Sequence, residues 1–151
     1  MEEFKNIDDI LDFAINSEQE AVDFYTELAN NASNEEMKKV FTQFAGEEMG
    51  HKKKLMNVKE TGTFEVRDTE IRDLKIADYL VDVEPHPNMS YQEALMIAMK
   101  KEKSAFKLYT NLAAKAPTGK MKDLFNGLAL EESKHKLRFE LEYDEYVLRE
   151  N

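Results

Sequence analysis

The sequence predicts an all-α protein, an antiparallel four-helix bundle with one long crossover connection. Three observations point there: apolar residues recurring three and four apart over long stretches, sparse Gly and Pro, and two halves of the chain that resemble each other. Only 5 Gly and 3 Pro occur in 151 residues, and two of the Pro fall together in Glu84-Pro85-His86-Pro87. Punctuation this thin favours long helices over many short strands. The length suits a single domain, here residues 1–151.

The first predicted helix spans about residues 7–31, because Ile10, Leu11, Ala14, Ala21, Val22, Tyr25, Leu28 and Ala29 fall on one helical face. Ser33-Asn34-Glu35-Glu36 then reads as a capping box that opens a second helix near residue 34. This helix carries Met37, Phe41, Phe44, Ala45, Glu48 and Leu55 to a stop at Thr61-Gly62, where Gly can take the left-handed conformation. Between 62 and 89, Ile71, Leu74, Ala77, Leu80 and Val81 recur at helical spacing after Thr69, predicting a short extra helix in the crossover. Ser90-Tyr91-Gln92-Glu93 is a second capping box and opens the third long helix, which ends at Ala116-Pro117. The fourth fills about 119–149.

Charge and composition narrow the functional classes. Asp and Glu number 31 against 21 Lys and Arg, a net charge of −10 that repels nucleic-acid phosphates and anionic lipid headgroups. No apolar run approaches the roughly 18–20 residues of a membrane span, and the acidic start MEEFKNIDDI lacks the basic segment of a signal peptide. The expectation is a cytoplasmic protein with neither nucleic acid nor a membrane as partner. Cys is absent, so any bound metal must be held by oxygen and nitrogen.

Sliding the sequence by 84 residues aligns 14–55 with 98–139 without a gap, and 16 of the 42 positions are identical. The Ala and large apolar identities follow from packing, since two similar helical hairpins need similar side chains at similar places. Glu18/Glu102, Tyr25/Tyr109, Glu47/Glu131, Glu48/Glu132 and His51/His135 do not. Two of the three His in the chain thus occupy equivalent positions, each three residues after a Glu that lies on an apolar stripe. A Glu-x-x-His pair on a helix directs a carboxylate and an imidazole to one spot, as two ligands of one ion require. Glu18 and Glu102 lie on apolar stripes as well, whereas Glu20 aligns with Ser104.

Burying four carboxylates is costly unless positive charge offsets them, and two divalent cations bring the site to neutrality. Six oxygen and nitrogen ligands that include His suit Fe(II) or Mn(II), with Zn as a substitute, better than Mg or Ca. The candidate metal ligands are Glu18, Glu48, His51, Glu102, Glu132 and His135. Glu47 and Glu131 stand at the other possible chelating spacing, four residues before the His, but off the apolar stripe. Tyr25 and Tyr109, two turns from Glu18 and Glu102 on the same face, are candidates to hydrogen-bond a ligand carboxylate. His86, between two Pro, shows no partner pattern.

The motifs Glu18-x6-Tyr25, Glu47-Glu48-x-x-His51, Glu102-x6-Tyr109 and Glu131-Glu132-x-x-His135 make nearly the whole chain resemble the rubrerythrin branch of the ferritin-like superfamily. The resemblance implies a ferritin-like bundle and a centre of two iron ions. Glu48 and Glu132 would bridge or chelate the irons, Glu18 and Glu102 would be terminal ligands, and His51 and His135 would each ligate one iron. Two departures stand out. Rubrerythrins carry a rubredoxin-like domain with a four-cysteine iron, and these residues include no Cys. They also carry a further ligand Glu three residues after the third-helix Glu, where this chain has Ala105.

The function these features imply is a di-iron oxidoreductase that reduces hydrogen peroxide or dioxygen, with a rubredoxin or flavoprotein as electron donor in trans. A homodimer is the expected assembly. The alternatives are a ferroxidase or iron-binding protein serving detoxification or storage, and a metal-free structural bundle.

Overall fold

A computed structural model describes residues 4–32, 34–62, 71–75, 78–81, 85–86, 89–116 and 119–150. These contain four long helices, α1 (Ile7–Asn30), α2 (Glu35–Thr61), α3 (Tyr91–Lys115) and α4 (Gly119–Glu150), and no strand. Every long helix falls within two residues of its expected bounds. The chain divides into two compact units, Met1–Lys75 and Ile76–Asn151, each holding one helical hairpin.

Local chemistry sets the helix ends. Asn6 caps α1, its side chain accepting from the Asp9 amide at 3.0 Å. Asn34 caps α2 through the Met37 amide at 2.8 Å, so the cap stands one residue beyond the expected Ser33, which lies outside the described residues. An Asn carbonyl reaches the first-turn amides as a Ser hydroxyl does, and the sequence offered both in succession. At Ser90 the capping box forms as expected, with the Glu93 amide donating to Ser90 Oγ and the Ser90 amide to Glu93 Oε1. Gly62 ends α2 in the left-handed region at φ +64°, its amide bonded to the Val58 carbonyl.

Each hairpin is antiparallel, and its side-chain pairs show the register. In the first, Lys52 donates to Gln19 at 2.6 Å and Lys59 pairs with Asp12: seven residues back along α1 is seven forward along α2. In the second, Gln92 meets Tyr143, Glu102 meets His135, and Tyr109 packs on Phe125 with ring centroids 6.3 Å apart. Burial repeats with the same 84-residue offset. Leu11/Leu95, Leu28/Leu112, Phe41/Phe125, Ala45/Ala129 and Leu55/Phe139 are all buried. Core packing therefore accounts for the apolar part of the internal repeat.

The expected crossover helix falls largely outside the described residues. Within it, residues 71–72 are helical and Ile71 and Leu74 are buried, but Leu80 is exposed and its neighbour Tyr79 is buried instead. The reason is tertiary. The Tyr79 hydroxyl accepts from Asn111 Nδ2 at 2.8 Å, its carbonyl accepts from Ser104 Oγ, and Lys107 lies over its ring. Residues 104, 107 and 111 share one face of α3, and the link is pinned to that face by polar contacts that no apolar period reveals.

Candidate metal centre

In the first hairpin α1 brings Glu18 inward between Ala14, Ala21 and Tyr25, and α2 brings Glu48 and His51 inward between Phe44, Ala45 and Leu55. All three are buried. The heptad-like spacing of the buried face of α2 (residues 41, 44, 48, 51, 55) leaves positions 48 and 51 no other direction. His51 Nδ1 lies 3.3 Å from Glu48 Oε1 and 3.6 Å from Glu18 Oε2. The second hairpin repeats the arrangement with Glu102 on α3 and Glu132 and His135 on α4, all buried, and His135 Nδ1 3.5 Å from Glu102 Oε1.

These separations are long for N–H···O hydrogen bonds, which cluster between 2.7 and 3.2 Å. They suit two ligands of one ion, because atoms that each sit about 2.1 Å from a metal are at most about 4.2 Å apart. The His-to-carboxylate separations of 3.3 to 3.6 Å meet that limit, and one atom from each residue of a triad lies within 4.8 Å of the others, a spread that a small inward shift would close around an ion. A neutral nitrogen donor and two hard carboxylates, sealed from water, fit a divalent first-row metal.

Electrostatics within the first triad carries the mark of crowded acids. Burial pushes the Glu18 carboxyl up to about 8; the contact to His51 opposes this rise and the Glu48 carboxylate adds to it. Burial by itself would lower His51, but the Glu18 and Glu48 carboxylates outweigh it and push the imidazole up to about 11. Glu18 and His51 compete here: a neutral Glu18 pulls less on the imidazole, and a charged His51 lowers the carboxyl. Both shifts nonetheless point one way. Near neutral pH the metal-free triad retains protons that the same groups would release in water.

The neighbouring candidates separate by position. Glu47 and Glu131 are half-buried, with Gln43 reaching Glu47 at 3.4 Å, and Glu20 is exposed. Tyr25 and Tyr109 are buried. His86 has a partner that its sequence context conceals: its Nε2 lies 3.1 Å from Glu93 Oε2, on the carboxylate of the capping box. Hydrogen bonding from Ser90, then from His86, holds the Glu93 carboxyl below its ordinary range.

One buried acid escaped the sequence reading. Glu142 is 2% exposed, seven residues beyond His135. Its counterpart in the first hairpin is Val58, so the internal repeat passes over it. The inner series of α4 (128, 132, 135, 139, 142) includes it and is the signal that could have found it.

A family profile described as Rubrerythrin matches residues 9–84 and 93–151. The chain belongs to the rubrerythrin family. Searches of the curated proteins and of the solved structures each find no match. Four long helices with no strand among the described residues are the make-up of the family's ferritin-like class, and the buried Glu, Glu and His triad of each hairpin is a metal-capable group. No described helix is long and apolar enough to cross a membrane.

Proposed function

We propose that this rubrerythrin is a di-iron oxidoreductase that reduces hydrogen peroxide or dioxygen, with peroxide the first choice of oxidant. The observation that carries the reading is the recurrence of one buried Glu, Glu and His set at matching positions of both hairpins. In this reading Glu18 and Glu102 would be terminal ligands, Glu48 and Glu132 would bridge or chelate the irons, and His51 and His135 would each ligate one iron.

Held by these residues, a ferrous pair would supply the two electrons that, with two protons, reduce one peroxide to two waters. The protein's own contribution is electrostatic and positional. Four carboxylates neutralise two divalent ions and favour the higher charge of the oxidised pair. The Ala and Phe side chains around each triad exclude bulk water and keep the carboxylates oriented. Tyr25 and Tyr109, buried on the Glu18 and Glu102 faces, are positioning residues for those carboxylates. Electrons come from a separate rubredoxin or flavoprotein.

The test is metal content after anaerobic purification, followed by absorption spectra before and after peroxide. Two irons per chain, a ferric absorption that grows at a stoichiometry of one peroxide per pair, and re-reduction by rubredoxin are expected. Failure to develop that absorption overturns the reading. Iron uptake well beyond two per chain would assign the protein to iron storage instead.

A further inference from the structure

The fourth helix is apolar on two opposite sides. Its inner series, Met121, Phe125, Leu128, Glu132, His135, Phe139 and Glu142, is buried. On the other side Leu130, Leu137, Leu141 and Leu148 are 55%, 57%, 51% and 74% exposed. Singly exposed leucines need no explanation, but four in register along one stripe do. With Lys134 and Asp144, both exposed, they complete an unbroken alternation of four- and three-residue steps: 130, 134, 137, 141, 144, 148. That is the a/d seam of a coiled coil, about 27 Å long at 1.5 Å per residue.

The internal repeat supplies a control. At the equivalent places α2 carries Gly46, Lys53 and Asn57 opposite Leu130, Leu137 and Leu141. Hairpin packing therefore does not require leucine there, and the stripe belongs to α4 alone.

The seam is also self-complementary. Its positions are symmetric about residue 139, so that two copies of α4 related by a two-fold axis and running antiparallel would pair Leu130 with Leu148, Leu137 with Leu141, and Lys134 with Asp144. Each Leu meets a Leu and each charge meets its opposite. A parallel pairing would place Lys134 on Lys134 and Asp144 on Asp144, which like-charge repulsion disfavours. We infer that the outer face of α4 is the homodimer interface, an isologous antiparallel helix pair in which Lys134 and Asp144 fix direction and register.

Sedimentation equilibrium on the full chain tests this. The unaltered protein is expected to be a dimer, and Leu137→Glu with Leu141→Glu a monomer whose circular dichroism retains the helix content. Lys134→Glu and Asp144→Lys should each weaken self-association by about tenfold or more. An equimolar mixture of the two should recover the original affinity, because each mixed pair again sets Lys against Asp or Glu. A protein that is monomeric up to millimolar concentration overturns the inference. So does a dimer indifferent to the paired Glu substitutions, or a mixture that associates no better than its components.

Discussion

At each triad, protons and metal compete for the same lone pairs. Glu18 has a higher pKa folded than unfolded, so the native state holds an extra proton above the carboxylate's ordinary range, and stability falls as pH rises toward about 8. His51 acts in the same sense: its contribution is complete below its ordinary value near 6.5 and disappears as pH climbs toward about 11. Metal-free protein should accordingly lose melting temperature between about pH 5 and pH 10. The iron-loaded form should gain over the lower part of that range, where metal must displace protons. Thermal melts with and without Fe(II) across this range check the opposite slopes. Substitution separates ligands from bystanders. Glu48→Gln or His51→Ala should reduce bound iron and abolish the iron-dependent rise in melting temperature, while Glu47→Gln and Glu20→Gln leave both unchanged, as elemental analysis and melts will show. The six inward residues were legible in sequence because a charged residue on an apolar stripe, repeated at a fixed offset, has few structural explanations. Glu142 satisfied only the first condition and was missed. His86 was missed because its partner lies in the next helix's cap.

Among the elements, the helix ends are where single residues matter most. Ser90→Ala removes one half of a complete capping box and should cost about 1 kcal/mol in chemical denaturation. Gly62→Ala should cost about 1 kcal/mol, because φ +64° brings an added Cβ against the backbone even though the surrounding space is open. Tyr79→Phe leaves the ring in place but strands Asn111, and about 1 kcal/mol is again the expected loss. The long helices could be read from sequence because amphipathic period and cap chemistry agree over 24 residues or more. The crossover could not. Tyr79 is fixed by side chains of α3 distant in sequence, and polar anchoring of that kind has no local period.

For the whole molecule, the repeat divides the chain into two hairpins of one design whose surfaces have diverged. The shared Lys illustrates it: Lys52 reaches across to Gln19, whereas Lys136, in the hairpin where Lys103 stands at the position equivalent to Gln19, turns along its own helix to Glu140 at 2.8 Å. A divalent ion bound in the first triad should displace the protons that Glu18 and His51 retain, so that charge enters the site largely in exchange for protons. Acidification of a weakly buffered solution on adding Fe(II) to the metal-free protein would show this. The two deeply buried tyrosines also have an optical meaning. The chain contains no Trp and six Tyr, so its ultraviolet emission comes from tyrosine alone. Tyr25 and Tyr109 share the faces that carry Glu18 and Glu102, and a paramagnetic ion bound beside them would quench their fluorescence. The unmodified protein therefore carries its own reporter, and metal occupancy can be followed by emission without a label.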